Sequence, residues 1–465
     1  MATLMRKLRF EFSFLLDGNE LMPSQRSNFT VLITLFLVTA IPTPLVADDV
    51  AQWTAKQLPD FVEIYRHFHA NPELSFKEKK TAARLAKELT RLGAQVTTGV
   101  GGHGVVGILR NGVGPTLMLR TDLDGLPVTE QTQLVYASKL RAVNQTGDDV
   151  GVMHACGHDV HLTNLIGVAQ YLAQHRNVWS GTVMFIGQPA EERGAGAKAM
   201  LEDGLFTRFP RPDFAVALHV DAAMAAGKVG YRAGFALANV DSVDITVKGR
   251  GGHGAYPQTT VDPIVQAAQL VLALQTIVSR EVPPTEPAVI TVGSIHGGTK
   301  HNVIGDNCHL QITVRSYSDH VRKLLLEGIK RKTRTVAMEF KAPEPEIKIS
   351  EGTPALFNDE DLANQAGIVF QRVFGAERVE QAEQSMGGED FSRYGREGVP
   401  ILMFRLGTVE QRRLDRYQQL GQVPPSLHSS KFYPDAELTL ATAITATTEL
   451  ALELLKSGQA VDASR

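Results

Sequence analysis

Cysteine is scarce: Cys156 and Cys308 are the only two among 465 residues. Two thiols cannot supply the disulfide framework on which many small exported folds rely. Charge of one sign is lacking too, since 47 basic side chains stand against 50 acidic ones and the net charge is −3. That balance offers nucleic acid no basic face and gives no reason to expect an anionic surface as partner. Internal repeats and low-complexity tracts are absent, so the chain is not read as a solenoid or a linker array. The apolar stretch at residues 31–41 is too short to span a bilayer comfortably.

What remains is a globular composition, 43% apolar with 41 glycines. The length calls for two or more structural units. At the N-terminus, Arg26, the apolar stretch and Leu45-Val46-Ala47 before Asp48-Asp49 follow the n-, h- and c-region order of a secretory signal peptide. Residues 1–47 are therefore expected to be a leader and the protein to be exported, periplasmic or extracellular. Counted from Met1 the n-region is long, and a start at Met22 gives ordinary proportions. The alternative is an uncleaved anchor.

The densest chemistry lies at residues 153–159, Met-His-Ala-Cys-Gly-His-Asp. His154, Cys156 and His158 fall within five positions, and Gly157 allows a tight turn between the last two. A thiolate and an imidazole so spaced can reach one borderline-soft cation, with Asp159 available to orient a ligand. Alone, the cluster reads equally well as a structural loop with a buried thiol.

Its surroundings decide. Helical periodicity at residues 53–69 is followed by a second helix, with Ser75 and Glu78 expected as a capping box and Gly93 as the stop. Apolar strands at 116–120, 182–187 and 214–218 each deliver ionisable residues: Asp122 and Asp124, then Glu191 and Glu192, then His219. In an open α/β sheet the ligand crevice lies outside the carboxyl ends of the strands, so these groups belong on one rim. A lone His219 ending a strand would be an ordinary surface histidine, but with Asp, Glu and Cys beside it the set has the chemistry of a divalent-metal site. His154 stays open between packing and orienting a ligand.

From residue 237 the texture changes to strand, helix, strand, strand, helix, strand, ending near 350. This βαββαβ order is ferredoxin-like. The fold class expected is thus a catalytic α/β domain with a mixed sheet, 48–236 and 351–465, carrying an inserted lid at 237–350. Within the lid, glycines flank His253, which lets the imidazole project from a turn, and Asn302 lies in a second turn at 297–302. The segment 410–422 is polar and expected as a surface excursion.

The motifs together resemble the M20 metallopeptidase family, in its aminoacylase-like amidohydrolase branch of hippurate hydrolases, N-acyl-amino-acid amidohydrolases and plant auxin-conjugate hydrolases. The likeness rests on His69-Ala-Asn-Pro-Glu-Leu74, Asp122-Leu-Asp124-Gly-Leu-Pro127, the 153–159 run, Gln188-Pro-Ala-Glu-Glu192, Gly251-Gly-His-Gly254, His301-Asn-Val-Ile304, Met386-Gly-Gly-Glu-Asp-Phe391 and Leu427-His-Ser429, in that order. The resemblance implies two divalent ions, zinc or manganese with cobalt or nickel as alternatives, held by Cys156, His158, Glu192, His219 and His428, with Cys156 bridging. It implies Glu191 as general base, and His253 and Asn302 as lid residues that contact the substrate. Expected partners are a small N-acyl amino acid or a dipeptide and a second copy of the chain through the lid, with no nucleic acid. A dipeptidase or carboxypeptidase, or a metal-dependent binding protein without catalysis, are the alternatives.

Overall fold

The computed structural model describes residues 49–456, so the leader expected at 1–47 lies outside the described residues. Helix α1 (Val50–Ala70) starts where the Asp49 carboxylate accepts from Ala51 N, and it buries Trp53, Phe61, Tyr65 and Phe68 at helical spacing. Helix α2 (Lys79–Arg91) follows, without the expected capping box. Glu73 Oε2 takes Lys80 N and Thr81 N, both at 2.8 Å. That leaves Glu78 Oε1 to accept from Phe76 N and, across the fold, from Ala190 N, each at 2.8 Å.

Three strands come next, β1 (Gln95–Val100), β2 (Gly104–Asn111) and β3 (Thr116–Asp122), then α3 (His158–Gln174), β4 (Gly181–Gln188), β5 (Phe214–Ala225) and β6 (Val229–Tyr231). The insert contributes β7 (Asn239–Lys248), α4 (Pro263–Arg280), β8 (Ala288–Gly297), β9 (Asn307–Ser316), α5 (Asp319–Glu339) and β10 (Glu346–Glu351). The chain then returns through α6 (Glu360–Phe374), β11 (Val379–Gln381), β12 (Ile401–Val409), α7 (Gln411–Gln419) and α8 (Ala436–Leu454).

The large sheet runs β1-β2-β4-β3-β5-β12-β6-β11. Its centre is parallel, β4 with β3, β3 with β5 and β5 with β12, while β1, β2 and β4 pair antiparallel. Parallel strands need both faces covered. Leu117, Leu119, Phe185, Leu402 and Phe404 share one core with α1, α3 and α8, and Met118, Met184, Ile401 and Met403 share another on the opposite face.

The insert forms its own sheet, β8-β9-β7-β10, antiparallel throughout, with α4 and α5 packed on one face. This is the ferredoxin-like order expected. Alternation along β7 sends Val243, Ile245 and Val247 to the helices and leaves Ser242 on the open face.

Three local readings change. His219 does not end its strand: β5 continues to Ala225 because β12 pairs with it as far as Val409, whereas β3 pairs only to Ala217 and stops at Asp122. The imidazole therefore stands where one neighbouring strand has already ended. The segment at 410–422 contains a real helix, α7, with no buried residue. Strand β1 went unread because its sequence, QVTTGV, lacks an apolar run.

Candidate metal centre

Helix α3 opens at Gly157, whose φ of +79° is left-handed and whose missing Cβ would lie 2.6 Å from Val220 Cγ2. Only glycine fits there. The turn puts Cys156 just before the helix and His158 on its first turn. His158 Nδ1 donates to the Asp124 carbonyl at 2.8 Å, and His219 Nδ1 donates to the Val220 carbonyl at 2.8 Å. Each backbone acceptor fixes a tautomer and leaves Nε2 with a lone pair for a cation.

Those lone pairs converge. Cys156 Sγ lies 3.7 Å from His219 Nε2 and 3.3 Å from His428 Nε2. His158 Nε2 is 3.8 Å from Glu191 Oε2 and 3.8 Å from Glu192 Oε1, and Glu192 Oε1 is 3.6 Å from His428 Nε2. Cys156, His158 and His219 form one group of donor atoms, and Cys156, Glu192 and His428 form another, with Cys156 shared. His158 Nε2 and Glu192 Oε1 are buried without a hydrogen-bond partner. Buried donors and acceptors are ordinarily satisfied, so two orphans facing a thiol and two imidazoles fit a divalent cation.

Backbone strain collects at the same place. His428 has φ +67° and Ala190, just before the glutamate pair, has φ +51°. Both are costly for residues with a side chain and persist only where the surroundings hold them. His428 N donates to the Ala155 carbonyl at 2.8 Å, which ties that loop to the cysteine.

Around the donor atoms themselves, acidic groups and burial set the electrostatics. Burial, then Glu192 and Glu191, push the Cys156 thiol well up, so it becomes a thiolate only when a metal takes the proton's place. Burial, then Glu389 and Glu192, hold Glu191 well above the usual carboxylate range, and burial raises Glu192 to about 7. Burial opposes charge on His158, yet the Asp122 carboxylate and its other acidic neighbours raise it to about 10. Without a metal, a proton on His158 is the cation these carboxylates find.

An oxygen of a rim aspartate can orient a liganding histidine, and the two aspartates here differ in role. Asp124 does so with its carbonyl, while its carboxylate accepts from Glu191 N at 3.2 Å, Glu192 N at 3.1 Å and Ser75 Oγ at 2.6 Å. Asp122 accepts from His161 Nδ1 at 2.7 Å, and His161 Nε2 in turn accepts from Val220 N at 3.1 Å. His161 escaped the sequence reading, although its place three residues after His158 puts both on one helix face. His154 is buried with neither ring nitrogen bonded, and burial lowers it to about 4. It packs as a neutral ring.

Beneath the centre sits a second cluster missed in the sequence. Arg120 Nη1 donates to Asp122 at 2.8 Å, Nη2 to Glu389 at 2.9 Å and to Asp390 at 3.2 Å, and Nε to Gln188 at 3.1 Å. His69 bridges Asp159 at 2.7 Å and Glu130 at 3.0 Å, which ties α1 to the start of α3.

The cavity over the donors measures about 790 Å³ and is lined by Cys156, Glu191, Glu192, His219 and His428 together with the open lid face at Ser242, Arg315 and Ser350. His253 and Asn302 are not on its wall. They lie on an exposed two-strand ribbon, Gly252–His253 paired with Val303–Ile304, where Gly254 N donates to the Asn302 carbonyl at 2.9 Å. The structure thus brings the five donors and Glu191 together and leaves the two lid residues apart.

Residues 118–418 match the model of peptidase family M20/M25/M40. The chain belongs to that family. Relatives in it include thermostable carboxypeptidase 2 of Saccharolobus solfataricus, 36% identical over 82% of this chain and 93% of that protein. The hippurate hydrolase of Campylobacter jejuni is 38% identical over 71% of this chain and 84% of its own length. Among solved structures, the YxeP protein of Bacillus subtilis, described as a dinuclear metal-binding M20 peptidase, superposes with a TM-score of 0.71 at 30% identity, covering 86% of this chain and 99% of that one. This M20 chain is accordingly an enzyme, a metal-dependent amidohydrolase.

Proposed function

We propose that the chain hydrolyses the amide bond of N-acyl amino acids, releasing an acid and an amino acid, with two divalent ions held by Cys156, His158, Glu192, His219 and His428. The observation that carries this is the pair of buried, unpartnered atoms, His158 Nε2 and Glu192 Oε1, aimed at a shared thiol and two imidazoles. Zinc suits the one sulfur and three imidazoles of this donor set, and manganese is the alternative that its carboxylate favours. Such ions supply acidification of a water and polarisation of the scissile carbonyl. A hippurate hydrolase, an N-acetyl-L-cysteine deacetylase and a carboxypeptidase stand among the relatives by name, which supports the reaction class.

Glu191 is the proton carrier in this reading. Asp124 holds its backbone through Glu191 N, and its carboxyl lies beside His158 within the cavity. It takes the proton of the attacking water as the water oxygen bonds to the carbonyl carbon. It then delivers that proton to the amide nitrogen as the C–N bond breaks, so one residue is base and then acid. Glu192 has the opposite task of staying ionised toward a cation. His253 and Asn302 contact the substrate only if their ribbon closes over the cavity, which the lid reading at 237–350 requires. A second copy could meet the lid at α4, whose Ile264, Val265 and Leu272 are exposed. Export remains our reading of residues 1–47.

The experiment pairs elemental analysis with a hydrolysis panel of hippurate, N-acetyl amino acids, indole-acetyl amino acids and dipeptides. Up to two divalent ions per chain and chelator-sensitive turnover of the N-acyl substrates are expected. Turnover of dipeptides alone would move the assignment to the carboxypeptidase type. Glu191→Gln should keep its metal while kcat falls by roughly 10² or more, and Glu192→Gln should lose metal. Equal metal loss in both variants would mean the roles are reversed.

A further inference from the structure

Arg405 lies at the middle of β12, in register with His219 on β5 and with Gly230 on β6. Along β12, Leu402, Phe404 and Leu406 face the helical core, while Ile401 and Met403 face the opposite side. Alternation therefore sends the Arg405 side chain out on the face of Met403, the same face as its parallel partner His219. A Cβ at residue 230 would stand 3.3 Å from Arg405 Cβ, so glycine there leaves the side chain room.

Among the described residues, no hydrogen bond or ion pair holds this guanidinium. The acids that act on it from nearby are committed elsewhere: Asp221 accepts from Ala223 N at 2.8 Å, and Glu389 is held by Arg120. A cation on a central strand without a directly bonded carboxylate costs stability, and the nearby Asp221, Glu389 and Cys156 offset the effect of burial only in part. The group lines the metal cavity, and it also lines a second cavity of about 720 Å³. The two share Ser385, Arg405 and Leu427, so Arg405 stands at their junction. Two more arginines on the metal-cavity wall, Arg193 and Arg315, form no ion pair among the described residues. Among the described residues Arg315 donates to Thr313 Oγ1 at 3.0 Å and the Met386 carbonyl at 3.4 Å, both neutral acceptors.

Arg193 is exposed and solvated, which leaves Arg315 and Arg405 as two half-buried guanidinium groups on this wall, and one substrate α-carboxylate accounts for only one of them. We propose that Arg405 is a specificity residue that takes a second carboxylate, so that the preferred substrates are N-acyl amino acids carrying two. The planar fork of arginine matches a carboxylate with two parallel hydrogen bonds, and the adjoining cavity gives a longer substituent somewhere to go. The second carboxylate belongs either to an acidic amino-acid side chain or to the far end of a dicarboxylic acyl group. This inference rests on the amidohydrolase reading above and names its substrate class.

The test compares N-acetylalanine, N-acetylglutamate and N-succinylalanine on the metal-loaded wild type, Arg405→Met and Arg405→Lys. The quantity read is kcat/KM for each dicarboxylate relative to N-acetylalanine. Arg405→Met should lower one of those ratios by roughly 10- to 100-fold, the scale of hydrogen bonds to a charged group. Arg405→Lys, with a charge but no fork, should fall between. Loss confined to N-acetylglutamate identifies the amino-acid half, and loss confined to N-succinylalanine identifies the acyl half. Unchanged ratios, or an equal fall on all three substrates, would overturn the proposal. If the wild type hydrolyses neither these nor any member of the panel above, the amidohydrolase reading fails; if it hydrolyses only other members of that panel, that reading stands, and in both cases a thermal shift with glutarate decides the carboxylate site. A shift in wild type that Arg405→Met loses upholds the carboxylate site, and no shift in wild type refutes it.

Discussion

Replacing Arg120 with methionine removes the one cation shared by Asp122, Glu389 and Asp390. All four side chains are no more than 1% exposed, so water cannot take over. Breaking a buried ion pair by deleting one partner costs about 3–5 kcal/mol, mainly because the remaining charge is stranded. Here Glu389 and Asp390 lose their cation and keep only neutral donors, Phe391 N, Gln188 Nε2 and Ala197 N, whereas Asp122 keeps His161; Gln188 Oε1 also loses a donor while keeping Tyr394 OH, so a loss within that range is expected. The sign with pH follows from proton uptake. Asp390 already sits at about 7 because burial outweighs Arg120. Without Arg120 the folded state binds still more protons than the unfolded chain, so the variant loses stability as pH rises. Urea unfolding of metal-free protein separates this from metal binding. The loss should be largest at about pH 8 and smaller at about pH 5, where the acids are protonated. Arg120→Lys should recover part of it, since a point charge cannot reproduce the fork. A loss under about 1 kcal/mol at both pH values, or a larger loss in acid, would refute the reasoning.

Two other expectations concern residues away from the donors. His69 has a folded pKa of about 9, where burial is overcome by hydrogen bonds to Asp159 and Glu130. A raised histidine contributes stability below its unfolded value of about 6.5 and loses it as pH climbs through about 9, so the advantage over His69→Gln, on the order of 3 kcal/mol, should shrink across that window. A stability difference that grows with pH in denaturant titrations would contradict this. For the lid, His253→Ala should keep metal and fold while kcat drops by roughly 10²-fold, the scale of one oxyanion donor. Asn302→Ala should act mainly on KM, and near-normal steady-state kinetics for His253→Ala would mean the ribbon does not close on the chemistry.

Much of this site could be read from the chain because its strongest signals are local. Cys156, Gly157 and His158 are three consecutive residues, and a donor, a left-handed turn and a second donor need no tertiary knowledge to be suspected. Glu191 and Glu192 announced themselves by following an apolar strand. The ferredoxin-like insert was legible from the change between period two and period 3.6. What the tertiary structure decided is which distant groups meet. Arg120 and Glu389 lie 269 positions apart, and no periodicity links them. Arg405 looks in sequence like a stray charge in a strand, and only its register with His219 sets it on the metal side of the sheet. His219 was assigned to a strand end because its run of apolar residues stops there, but pairing with β12 carries the strand on to Ala225. Local composition encodes donor type and secondary structure through short-range sterics and burial. The closing of a cation site, and the stranding of a guanidinium at the junction of two cavities, depend on packing among segments that the sequence holds hundreds of residues apart.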